Sequence, residues 1–195
     1  TLRVLTPDPL GIIQPHTLQS AIGPKTALAV ICHASNVTGV IQPVSRLGAV
    51  CRENGIPLLV DAAQTAGVLD VSLHALNADM IAMPGHKGLL GPHGVGLLAL
   101  RRGIRPEPLV RGGTGSVSES MEQPESLPDR YESGTLPLPN IAGLLQGIRF
   151  VRTHLAEIRE YEDALNRRLR AGLERIPGLR CLGHSDGPRV GITSF

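Results

Sequence analysis

Short apolar runs, each closed by polar residues and separated by stretches of helical spacing, constrain this chain more than any other feature. Thr26–Cys32, Ile56–Val60, Met80–Met83 and Gly94–Leu100 are bounded by turn residues and rich in Ala, Val, Ile and Leu. Each reads as a strand of a buried sheet. Between them, Pro43–Asn54 carries Val44, Leu47, Val50 and Cys51 at helical spacing and meets Gly55, a good stop. Val71–Ala78 predicts a short helical connection. Strands alternating with helices predict βαβ units, hence an α/β fold with a mainly parallel sheet and flanking helices. Ligands of such sheets collect at the carboxyl ends of strands. Asn36, Asp61 and Lys87 each stand just past the end of a different predicted strand.

Further along, Gly103–Leu138 is rich in Gly, Pro and Ser and keeps no period, which marks a functional or disordered segment. Asn140–Ile176 reads as helix, broken at most once. Ile141, Leu144, Leu145, Ile148, Val151, Leu155, Ile158, Leu165, Leu169 and Leu173 share its apolar face, Asn140 is placed to cap it, and Pro177-Gly178 ends it. Leu179–Phe195 reads as the opening strands of a small α+β domain. The chain starts at Thr1 without Met and stops after the strand-like run Arg189–Phe195, so an internal piece of a longer protein is expected.

Composition removes several classes of function. The 195 residues are 42% hydrophobic with a net charge of +2, as in a soluble globular domain, and 19 basic against 17 acidic residues create no field for nucleic acid or anionic membrane. At 2% aromatic residues the chain lacks stacking platforms for single strands. Cys32, Cys51 and Cys181 follow neither zinc nor disulfide spacing, and the reducing cytoplasm is the expected compartment. His33, His74, His86 and His93 fit no metal-binding pattern, so no metal site is expected. No apolar stretch is long enough to span a bilayer.

Lys87 lies in Met83-Pro84-Gly85-His86-Lys87-Gly88, within the glycine-rich run that ends at Gly96. A lysine held where a strand gives way to such a loop, partly shielded from water, is the setting that makes an amine a nucleophile toward a carbonyl. Glycines allow a ligand to approach the backbone. Asp61 leaves a buried strand, where a carboxylate needs a cationic or donor partner, although it would also serve as a helix cap. Gln64, three residues on, suits either a cap or a ligand hydroxyl. His86, beside Lys87, can donate to a phosphate.

Four segments in order closely resemble class V aminotransferases, and among them the cysteine desulfurase and selenocysteine lyase branch. They are His33-Ala34-Ser35-Asn36-Val37-Thr38-Gly39, Val60-Asp61-Ala62-Ala63-Gln64-Thr65-Ala66-Gly67, Gly85-His86-Lys87 with Gly91-Pro92-His93-Gly94-Val95-Gly96, and Arg130-Tyr131-Glu132-Ser133-Gly134-Thr135. The resemblance spans nearly the whole chain. It implies pyridoxal 5′-phosphate as cofactor, Lys87 as the catalytic lysine that forms the Schiff base and shuttles protons, and Asp61 as the partner of the pyridine nitrogen. It further implies that Asn36 and Gln64 bond the ring hydroxyl, Ala63 packs on the ring face and His86 contacts the phosphate. Gly134 and Thr135 would reach the phosphate of a partner subunit in a homodimer with shared sites. Residues 1–138 would form the cofactor-binding large domain, lacking its N-terminal part, and 139–195 a linking helix with the start of the small domain.

The activity implied is release of sulfur from L-cysteine to give L-alanine and an enzyme persulfide, handed to a sulfur-acceptor protein. Amino transfer, selenocysteine or other β-elimination, and a non-catalytic scaffold are the alternatives. One residue departs from the pattern. Pro84 stands where the family usually has Ser or Thr, and it has neither hydroxyl nor N–H for a phosphate. A lost neutral hydrogen bond of about 1 kcal/mol predicts weaker cofactor retention rather than none.

Overall fold

The computed structural model describes residues 1–117, 119–183 and 187–195. Helix α1 (Pro15–Ala21) precedes strand β1 (Ala29–Cys32), helix α2 (Val44–Glu53) and strand β2 (Leu58–Asp61). Strands β3 (Met80–Pro84) and β4 (Gly96–Leu100) follow, and after a long irregular segment helix α3 spans Leu138–Leu173. The sheet order is β1-β2-β3-β4. The first three strands are parallel, with Ile31 opposite Val60 and Val60 opposite Ile81. β4 returns antiparallel to β3, so the sheet is mostly parallel, as expected, with one reversed edge.

The core forms where the helical period of α2 meets the sheet. Val44, Leu47, Gly48 and Cys51 of α2 are buried, against Leu58 and Val60 of β2 and Ile81 of β3. Gly55, at a positive φ of 66°, ends the helix and turns the chain into β2. The start of β3 is closed by a buried carboxylate. Asp79, 8% exposed, accepts from Leu58 N–H at 2.8 Å and pairs with Arg101 Nη2 at 2.6 Å.

Four local expectations change. Residues 71–78 form turns rather than a helix, and the segment ends with Asn77 at a φ of 52°, which helical geometry excludes. Val71, Leu73 and Leu76 still pack against or within the core, which is what gave them their period. Helix α3 is unbroken over 36 residues and begins at Leu138. Asn140 does not cap it: its side chain donates to the His93 carbonyl at 2.9 Å. Among the described residues of 179–195 there is a single antiparallel bridge, Val40 with Arg189, instead of strands. His184, Ser185 and Asp186 of that stretch, and Ser118 of the long loop, lie outside the described residues.

The start of α3 presses on the loop between β3 and β4. A Cβ on Gly147 would stand 2.3 Å from the Leu89 carbonyl oxygen, and one on Gly143 would be 3.2 Å from the Pro92 ring. Only glycine permits this closeness of helix to loop.

Candidate active site

Asp61 is the last residue of β2, and its side chain is fixed by the turn after it. Its Oδ1 accepts from Ala63 N–H at 2.9 Å, and its Oδ2 faces Cys32 Sγ at 3.8 Å across the parallel register. Burial, and after it the negative charge of Asp61, push the Cys32 thiol up, so the residue stays a thiol. The turn continues through Ala63 and Gln64 to Thr65, which is fully buried.

Lys87 sits in a second turn, after β3. Gly85 N–H donates to the Val95 carbonyl at 2.9 Å, Gly91 N–H to Gly85 at 2.8 Å, and Leu90 N–H to the Lys87 carbonyl at 2.9 Å. These bonds brace the lysine's backbone from both sides. The two turns meet backbone on backbone: a Cβ on Gly67 would lie 2.0 Å from the Gly88 carbonyl oxygen, and one on Gly88 would lie 2.4 Å from that of Ala66. The glycine pair therefore sets the separation between the Asp61 turn and the Lys87 turn.

Ala63, Gln64 and Lys87 line one wall of a cavity of about 500 Å³, and Glu162 and Asn166 of α3 with Gly191 line the other. This volume lies within the range of small-molecule sites. The wall supplied by α3 was not legible in the sequence. Burial, and then the neighbouring Asp163, push the Glu162 carboxyl up. Asn166 is held by a 2.9 Å hydrogen bond to Thr193 Oγ1, which ties the helix to the C-terminal segment.

Asp61 and the remaining expected site residues are not among those that line this cavity. Asn36 is exposed in the turn after β1, where Ser35 Oγ accepts from the N–H groups of Val37 and Thr38 at 3.1 Å each. His86 is exposed and stacks on His93, with centroids 4.8 Å apart. Gly134 and Thr135 are exposed in the approach to α3, with Gly134 N–H bonded to the Gly113 carbonyl at 2.8 Å. Lys87 is itself exposed, so the described residues do not provide the shielding from water expected for it. Pro84 ends β3 opposite Gly96, at a strand end where its missing N–H costs no ladder bond. Among the described residues no group of three or more His, Cys, Asp or Glu is placed to hold a metal ion, and no helix is long and apolar enough to cross a membrane.

The donor set fits pyridoxal phosphate. A carboxylate for a ring nitrogen, an amide for a ring hydroxyl and a primary amine for an aldehyde stand on adjoining turns beside a roomy cavity. Comparison with known proteins points the same way. A probable cysteine desulfurase of Methanothermobacter thermautotrophicus is 34% identical over 199 residues, covering 100% of this chain and 50% of its own length. The cysteine desulfurase IscS of Dechloromonas aromatica is 36% identical over 168 residues, 85% of this chain and 38% of that protein. The apo structure of cysteine desulfurase from Thermococcus onnurineus NA1 superposes with a TM-score of 0.87 at 31% identity, covering 99% of this chain and 49% of that one. The chain spans about half the length, or less, of these relatives. Residues 1–195 match the sequence model of the aminotransferase class-V family. This chain is therefore a member of the class V aminotransferases.

Proposed function

We propose that this chain carries the cofactor lysine of a pyridoxal-phosphate-dependent cysteine desulfurase, which takes sulfur from L-cysteine and leaves L-alanine. The observation that carries the reading is the packing of the Asp61–Gln64 turn against the Lys87 turn at Gly67 and Gly88, beside one cavity. The cysteine desulfurases among its relatives support the choice of substrate.

When bound, pyridoxal phosphate supplies an electron sink for negative charge at the substrate's α carbon. Asp61, its Oδ1 oriented by Ala63 N–H, keeps a proton on the ring nitrogen and so maintains that sink. Gln64 and Asn36 donate to the ring hydroxyl. Ala63 offers a small, flat contact for the ring face. His86 donates to the phosphate, and Pro84 removes one donor from that side. Lys87 would hold the cofactor's aldehyde carbon through its Nζ, and the same nitrogen would carry a proton to and from the α carbon. Gly134 and Thr135, exposed before α3, suit a role on the phosphate of a second subunit in a homodimer. Division at residue 138 into a cofactor-binding domain and a linking helix with a smaller domain belongs to the same reading, as do a cytoplasmic location and a protein that accepts the sulfur.

The test uses the full-length protein incubated with pyridoxal phosphate and reduced with borohydride. Mass spectrometry should find the pyridoxyl mass on Lys87, and the Lys87→Ala protein should lose both that mass and alanine formation from cysteine. A label on another residue, or alanine formation that survives the substitution, refutes the assignment.

A further inference from the structure

His33 follows β1 and is 5% exposed. An imidazole removed from water needs partners inside the protein. Its Nδ1 lies 2.9 Å from Thr65 Oγ1, and Thr65 is 0% exposed. The Thr65 hydroxyl has the Ala62 carbonyl 3.5 Å away as an acceptor for its own proton. The 2.9 Å contact is a hydrogen bond whichever of the two atoms, Nδ1 or Oγ1, carries the proton. Burial lowers the pKa of the ring below its ordinary 6.5 and keeps it neutral at neutral pH.

The backbone of the same residue holds the other end of the turn. His33 N–H donates to the Asp61 carbonyl at 2.8 Å, and the His33 carbonyl accepts from Gln42 N–H at 2.8 Å. Thr65 in turn organises the residues on either side of it: its N–H bonds the Ala62 carbonyl at 3.0 Å, and its carbonyl accepts from Val68 and Leu69 at 3.0 and 2.8 Å. One residue thus grips the Asp61–Gln64 turn at both ends, Asp61 through the main chain and Thr65 through the side chain. The main-chain bond continues the β1–β2 ladder and needs no particular side chain; the ring bond to Thr65 is what histidine adds at this place.

We propose that His33 is a positioning residue whose ring, through Thr65, and whose backbone, through Asp61, orient Asp61 and Gln64 for pyridoxal phosphate. The proposal rests on the cofactor reading above. His33 acts on no reacting atom directly; it keeps the carboxylate and the amide where the ring must find them.

The experiment titrates the full-length protein with pyridoxal phosphate, following the visible absorption band, its pH midpoint and the urea midpoint of each variant. His33→Leu keeps the volume and removes the ring's hydrogen bond; it should raise the Kd about tenfold and move the pH midpoint of the band. His33→Asn places an amide, able to donate or accept, near the position of Nδ1 and should stay within about threefold of the parent Kd. Thr65→Val and Thr65→Ser repeat the contrast from the other partner, and they decide the outcome where His33→Leu fails to fold. Parent-like Kd and pH midpoint in both His33→Leu and Thr65→Val overturn the proposal. Equal losses in His33→Asn and His33→Leu that simply track urea stability overturn it too, since packing alone then explains them. If the parent protein binds no pyridoxal phosphate at Lys87, the cofactor reading itself falls and this inference falls with it.

Discussion

Replacing Gly67 by alanine strikes the contact that sets the spacing of the site. Gly67 has a φ of 84°, in the left-handed region, where a Cβ costs about 1–2 kcal/mol. The new methyl would also stand 2.0 Å from the Gly88 carbonyl oxygen and 2.3 Å from its carbon. Neither atom belongs to a flexible side chain, so the two turns must part, at a further cost of about 1–3 kcal/mol. The sum, about 2–5 kcal/mol, is a large share of the about 5–15 kcal/mol that stabilises a typical domain. Two other glycines isolate the contributions. Gly103 has a φ of 92° with nothing within 4 Å of where a Cβ would stand, so Gly103→Ala meets only the backbone penalty. Gly113 has open space and no positive φ, and Gly113→Ala should be neutral or slightly stabilising. Urea denaturation of the three variants should rank them Gly67→Ala far below Gly103→Ala, with Gly113→Ala near the parent. The pyridoxal phosphate Kd of Gly67→Ala should also rise, because Lys87 moves relative to Asp61. Equal destabilisation in Gly67→Ala and Gly103→Ala would refute the argument that backbone contact with Gly88 fixes the site.

Two further outcomes rest on buried polar groups. Asp79→Ala leaves Leu58 N–H without its acceptor and Arg101 without its partner, and should cost about 2–4 kcal/mol in urea denaturation; Asp79→Asn should recover part of that, and a parent-like melt of Asp79→Ala would show the cluster to be inert. His33 resists protonation in the folded protein but takes up a proton near 6.5 once unfolded, so below that pH the unfolded state binds more protons. Stability contributed by the neutral ring should be complete above pH 6.5 and decline as the pH falls toward the lowered native value. His33→Asn should flatten the decline, and an unchanged slope in that variant would assign it to other groups.

The sheet was legible because buried strands leave an unambiguous mark. The apolar runs before Asn36, Asp61 and Lys87 are the three parallel strands, the first two trimmed at their starts, and α2 matches the predicted helix closely. Residues 71–78 misled because burial of Val71, Leu73 and Leu76 requires only that they point inward, and a series of turns achieves this as well as a helix does. Helix α1 left no mark at all: it has seven residues and one buried side chain, Leu18, so no period forms. Asp61, Gln64 and Lys87 were visible by residue type and place. Glu162 was not, since a carboxylate on a long helix looks like solvated surface until the helix is laid against the cavity. The glycines of α3 were equally silent, because close approach is a property of two segments and neither announces the other.

The contact at Gly147 gives α3 a mechanical character. At about 1.5 Å per residue, Leu173 lies about 39 Å along the helix from Gly147. A tilt of about 5° about that seat would swing the far end by about 3 Å, roughly the length of a hydrogen bond. Asn166, which shares the cavity with Lys87 and holds the C-terminal segment through Thr193, rides on that arm. Gly147 thus fixes where the near end of α3 rests, and the far wall of the cavity is placed by that seat together with the Asn166–Thr193 bond.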